Sequence, residues 1–177
     1  NKFAETNNDA EQEGLMERLD MQELDEELLD IFTEEAKDLL DQSDNILVAL
    51  KSTPENFEHL YGLQRHLHTI KGGARMAGLF SIGELSHSLE TLLQHNTEQQ
   101  IVPNAKQISI IERSLDALHK MAHSVEERKA PELPNDIMKL LDASMLTEES
   151  SKIPEHEETD ATKSEVVFKP LSGPIAV

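Results

Sequence analysis

Leu60, Leu63, Leu67, Ile70, Ala74 and Ala77 recur at an alternating spacing of three and four residues. That rhythm limits the possible folds more than any other feature of the chain. It gathers all six side chains on one face of an α-helix, whereas a strand would scatter them over two. Three other stretches carry a helical rhythm: Leu28, Phe32, Ala36, Leu39, Ile46 and Leu50; then Ile82, Leu85, Leu89 and Leu92; then Ile108, Ile111, Leu115, Leu118, Ala122 and Val125. Ile137, Leu140 and Leu141 mark a shorter helix around Asn135 to Ala143. No strand pattern and no internal repeat competes. Four long amphipathic helices with mostly short connections predict an all-α chain, an antiparallel four-helix bundle with a short fifth helix and disordered termini.

Local signals place the helix ends. Asp25 can cap the first helix, with acidic residues behind it that suit the helix dipole. Thr53-Pro54-Glu55 reads as a restart, Thr53 at the cap and Pro54 at the first helical position. Gly78 is a natural stop, and Ser81 with Glu84 reads as a capping box for the third helix. Asn96 to Asn104 is a polar connection, and Pro131 and Pro134 break the chain before the fifth helix. Three segments follow from this: a flexible lead-in over 1–22, the bundle over 23–145, and an acidic disordered linker over 146–177. In the linker, Val166-Val167-Phe168 reads as a linker patch, with a docking segment or a lead into another domain as alternatives.

Charge and composition exclude several function classes. The formal net charge is -19, which argues against nucleic acid, because phosphate binding needs a basic surface. The absence of cysteine removes disulfides, thiolate catalysis and cysteine-ligated zinc. No apolar run approaches the ~20 residues that span a bilayer, and no signal-peptide start is visible. The expectation is a cytoplasmic chain with no membrane partner. It opens on Asn1, as an excised fragment would.

Within the second helix stands His68-Thr69-Ile70-Lys71-Gly72-Gly73. Glycine inside a helix costs about 1 kcal/mol relative to alanine, so two in succession need a reason. Space is one: bare surface beside His68 lets something bulky approach the imidazole. His68 lies one position off the seam, with Gln64, Lys71, Gly72 and Arg75 on its side of the helix. A lone helical histidine is most often an ordinary surface residue, but a solvated face gains nothing from the two glycines. In the third helix His87 and Glu90 share a face. If the second and third helices pack antiparallel, Glu90 can reach the imidazole Nδ1–H and leave Nε2 as nucleophile. Without that pairing, Glu90 is a solvated charge and His87 a flanking residue.

Other histidines point nowhere firm. His119 and His123 have the i, i+4 spacing that can hold a metal, but no cysteine and no HExxH pattern supports one. His59 and His66 lack a third ligand. The glycines follow a helix, so they form no phosphate-cradling loop. No metal site is expected.

The run His68-Thr-Ile-Lys-Gly-Gly-Ala-Arg-Met-Ala-Gly78-Leu79, with His87-Ser-Leu-Glu90 at the matching distance, resembles the histidine phosphotransfer (HPt) domains. The likeness is greatest to the amino-terminal domain of CheA-type chemotaxis kinases and covers about Leu24 to Ala143. It implies His68 as phosphoacceptor, Glu90 as its hydrogen-bond partner, Lys71 as the charge that neutralises the phosphoryl group, and His87 as a member of the network. Gly72 and Gly73 would clear access, with Gln64 and Arg75 beside them. It implies as partners an ATP-binding kinase domain and CheY-like response regulators, which bring ATP and magnesium. The chain itself shows no Walker motif and would bind no cofactor. Arg75-Met76-Ala77 and the acidic tail resemble the multi-HPt kinases of type IV pili and twitching motility. Three rival readings are a stand-alone phosphorelay shuttle, a bundle that is never phosphorylated, and a metal-binding bundle.

Overall fold

A computed structural model describes residues 21–146. The remainder of the lead-in and of the acidic linker, including Val166-Val167-Phe168, lies outside the described residues. The four long helices are α1 (Glu26–Ser52), α2 (Glu58–Met76), α3 (Phe80–Glu98) and α4 (Ala105–Glu126), followed by α5 over residues 135–146. Each long helix packs on the next, and α4 closes against α1, so the four form a ring. The compact unit that holds them ends at Leu141.

The seams of α2 and α3 are buried as the spacing predicts: Leu60, Leu63, Leu67, Ile70 and Ala74 from one, Ile82, Leu85, Leu89 and Leu92 from the other. In α4 the core stripe is Ile110, Ile111, Leu115, Leu118, Ala122 and Val125, with Ile108 half-buried. Each fully buried leucine or isoleucine is worth about 1.5–3 kcal/mol relative to exposure. In α1 the stripe is displaced from the expected one. Leu28 is 44% exposed while Leu29 is 1%. Leu40 and Leu47 are likewise buried, with Leu39 and Ile46 half-buried beside them. The pairs Leu28-Leu29, Leu39-Leu40 and Ile46-Leu47 offer two stripes about 100° apart. Phe32, Ala36 and Leu50 belong to both. Only the position of the neighbouring helices selects between them.

Two of the predicted helix starts are corrected. Thr53 does not cap α2; its N–H donates to Ala49 O and it closes α1 instead. Residues 53–57 form turns, and α2 begins at Glu58, whose N–H is taken by Asn56 Oδ1 at 3.1 Å. Ser81 forms no capping box. A turn at Gly78 delivers the chain directly into α3 at Phe80, so Ser81 already lies inside the first turn. Its buried hydroxyl donates to the Pro131 carbonyl at 3.2 Å. Asp25 caps α1 as expected, accepting from Glu27 N and Leu28 N. The capping box that does form is Asn104 with Gln107, at the start of α4.

Gly78 is the hinge that makes the α2–α3 hairpin tight. Its φ of 81° lies in the left-handed region that glycine enters without a Cβ penalty. Gly78 N–H donates to Arg75 O and Leu79 N–H to Ala74 O at 2.8 Å, the paired bonds of a Schellman turn. Leu79, 1% exposed, anchors the turn in the core. α2 and α3 therefore run antiparallel in register, and this pairing carries the site.

Candidate functional site: a histidine–glutamate–lysine cluster across α2 and α3

His68 sits on the outer side of α2 with its side chain 70% exposed. From α3, Glu90 reaches its ring, with Oε1 3.0 Å from Nδ1. Lys71, one turn along α2 from His68, donates to the other carboxylate oxygen, Oε2, at 2.6 Å. Lys71 and Glu90 are only 13% and 15% exposed. The nucleophilic candidate is thus in solvent, while the groups that orient it are largely withdrawn from it.

The protonation states follow from the donors. Burial alone would raise the Glu90 pKa; hydrogen bonds from Lys71 and then His68, with their charges, outweigh it and hold the carboxyl below its ordinary value. An ionised carboxylate only accepts, so Nδ1 of His68 must carry the proton. Neutral imidazole then has its lone pair on Nε2. Among the described residues nothing hydrogen-bonds that nitrogen.

The two neighbouring glycines have different surroundings. A Cβ added to Gly72 would meet nothing within 4 Å, so the ground beside the imidazole is open. A Cβ on Gly73 would lie 3.3 Å from Phe32 Cδ2, so Gly73 accommodates α1 rather than a visitor. Arg75 is exposed, and its stem lies over α3, where a Cβ on Gly83 would stand 3.2 Å from Arg75 Cγ. Gln64 is tied down: its Oε1 accepts from the Thr97 hydroxyl at 3.2 Å. These last two contacts were not legible beforehand. Gly83, a glycine inside a helix, was the available signal for the first.

His87 does not join the cluster. It is exposed, and among the described residues its ring bonds neither His68 nor Glu90. Three residues before Glu90 is about 60° around α3, on the solvent side. The Lys71 expectation also needs adjusting. As folded, its charge is committed to Glu90. His119 and His123 do not act as a pair: His119 Nε2 lies 2.8 Å from Asp44 Oδ2 on α1, and His123 faces Glu126 at the end of its own helix and Glu127 at the C-cap.

No described helix is long and apolar enough to cross a membrane. Comparison with known proteins agrees with the arrangement. The family model described as "Hpt domain" matches residues 27–127. The chain is 27% identical over 106 residues to the chemotaxis protein CheA of Borreliella burgdorferi, covering 60% of this chain and 12% of that one. It is 27% identical over 97 residues to the Bacillus subtilis CheA, covering 55% and 14%. A third relative is the sensor histidine kinase CheAY of Helicobacter pylori, 26% identical over 102 residues, covering 58% and 13%. The chain thus spans about an eighth of the length of these relatives. The fold is shared with the phosphorylated P1 domain of CheA3 from R. sphaeroides, seen in complex with CheY6, at a TM-score of 0.61 and 23% identity, covering 68% of this chain and 97% of that one. An exposed histidine held by a glutamate of the next helix, in a four-helix bundle that the family model matches over more than half of its length, makes this chain a member of the Hpt domain family.

Proposed function

We propose that this chain is the phosphoacceptor and phosphodonor module of a chemotaxis-type histidine kinase, with His68 carrying the phosphoryl group. The observation that carries the reading is the Nδ1–Glu90 contact of 3.0 Å on a ring that is otherwise exposed. Nε2 attacks the γ-phosphorus of ATP held by a kinase domain; the N–P bond forms, the P–O bond to ADP breaks, and the ring becomes cationic. Glu90, already hydrogen-bonded at Nδ1, stabilises that charge as it develops. An aspartate of a CheY-like receiver then takes the phosphoryl group, and neutral imidazole leaves. Lys71 sits where a small displacement from Glu90 would bring its charge toward the phosphoryl oxygens, and Gly72 leaves the approach clear. ATP and magnesium enter with the partner domains in this reading, and the chain holds no cofactor of its own.

The small share of each relative that the chain spans favours a module of a larger kinase over a stand-alone shuttle. The finer assignment, a kinase of type IV pili and twitching motility, rests on Arg75-Met76-Ala77 and the acidic tail alone, and work in the cytoplasm suits a chain without cysteine.

The test is incubation with a cognate kinase domain and labelled ATP. Acid-labile label is expected on the native chain and absent from His68→Gln, whose circular dichroism stays helical. Label persisting in that variant, carried by His66 or His87, would remove His68 from the role.

A further inference from the structure

The ring of helices has a second polar seam, diagonal to the one that carries His68. Where α4 closes on α1, His119 Nε2 meets Asp44 Oδ2 at 2.8 Å. Asp41, one turn earlier on α1, brings its carboxylate to the same place, and one donor atom from each of the three lies within 4.8 Å of the others. Among the described residues, neither Asp41 nor Asp44 is paired with a lysine or arginine. His123, the partner that sequence spacing suggested for His119, faces Glu126 and Glu127 at 3.4 and 3.5 Å and takes no part.

We propose that Asp41, Asp44 and His119 form a binding site for a divalent transition cation of the zinc, cobalt or nickel class. Bonds of ~2.1 Å from one cation to nitrogen and oxygen donors at right or tetrahedral angles put those donors about 3.0–3.4 Å apart. The His119–Asp44 separation needs little adjustment to match. An imidazole among the donors favours these metals over calcium or magnesium, which prefer oxygen alone. A ring that ligates through Nε2 gives up the proton there and carries its N–H on Nδ1. Water completes the coordination, because both helices leave the outer side open. The ligands come from α1 and α4, so the cation ties together the two ends of the sequence that close the ring. It binds the folded state and raises its stability by mass action.

The test uses the full chain, with Zn2+ titrated by calorimetry and melting temperature followed in parallel. Saturable binding and a higher melting temperature are expected. His119→Gln and Asp41→Asn each weaken binding on the order of tenfold or more, a loss at least as large as that for removing an outer-shell partner. His123→Gln and His68→Gln leave it unchanged, and Ca2+ binds far more weakly than Zn2+. Asp41 is exposed, so its variant reports on ligation rather than on folding. No saturable Zn2+ binding, binding that survives His119→Gln, or Ca2+ binding of equal strength would each overturn the site.

Discussion

Lys71 and Glu90 are joined across the α2–α3 seam by an Nζ–Oε2 contact of 2.6 Å, and the same carboxylate holds His68 through its other oxygen. The lysine fixes the glutamate, and the glutamate fixes the ring. A surface ion pair contributes little, but this one is mostly withdrawn from water, where losing one partner is costly.

Glu90→Ala should slow phosphorylation of His68 without abolishing it. The carboxylate orients the ring and steadies its charge but is not the nucleophile. A loss on the order of 1–3 kcal/mol, the range for a partner removed from a buried hydrogen bond, corresponds to roughly fivefold to 150-fold in rate. Single-turnover phosphorylation by the kinase domain measures it, and an unchanged rate would leave the 3.0 Å contact without a catalytic part.

Lys71→Met should raise the pKa of Glu90. Burial already pushes that carboxyl up, and the Lys71 hydrogen bond is the foremost influence holding it down. A carboxyl depressed in the folded state contributes stability above its unfolded pKa, about 4.3. That contribution is lost as pH falls through the lower folded value. The native chain should therefore lose stability below the ordinary carboxylate range, and Lys71→Met should show a shallower loss there. Carboxyl-selective NMR titration with acid melting curves reads both; an unmoved Glu90 titration would show that the pair is not coupled in solution.

Gly72 and Gly73 should respond differently to alanine. Nothing stands within 4 Å of a Cβ at Gly72, so Gly72→Ala should gain up to about 1 kcal/mol of helix propensity. At Gly73 the same Cβ sits 3.3 Å from Phe32, and crowding should offset that gain or reverse it. Gly72→Gln should keep the fold and obstruct transfer. Melting curves beside transfer rates decide the matter: untouched transfer in Gly72→Gln would end the steric-clearance account.

Gly78→Ala should destabilise the bundle by more than the ~1 kcal/mol usual for forcing alanine into left-handed backbone. Beyond φ, its Cβ would come within 2.7 Å of Leu24 Cδ2, so the end of the Leu24 side chain must shift as well. Because the turn sets the α2–α3 register, the transfer rate should fall with the melting temperature. A variant with native stability would show that the turn tolerates a side chain.

The sequence alone determined the class of fold and pointed to the candidate site. Alternating three- and four-residue spacing admits one regular structure, and a glycine pair beside an off-seam histidine has few structural uses. The seams of α2 and α3 were legible because each offers a single apolar stripe. In α1 the adjacent pairs Leu28-Leu29, Leu39-Leu40 and Ile46-Leu47 offer two, and only the neighbouring helices decide which is buried. The caps at Thr53 and Ser81 failed because the helices start elsewhere: α2 begins only at Glu58, and Ser81, already inside α3, gives its hydroxyl to the Pro131 carbonyl, fifty residues away. Tertiary structure alone placed His87 outside the cluster, committed Lys71 to Glu90, and turned His119 toward Asp44 rather than His123. Side-chain pairing across helices depends on rotation and register between elements. Those are set by the packing of all four helices at once, and no single helix carries that information in its own spacing.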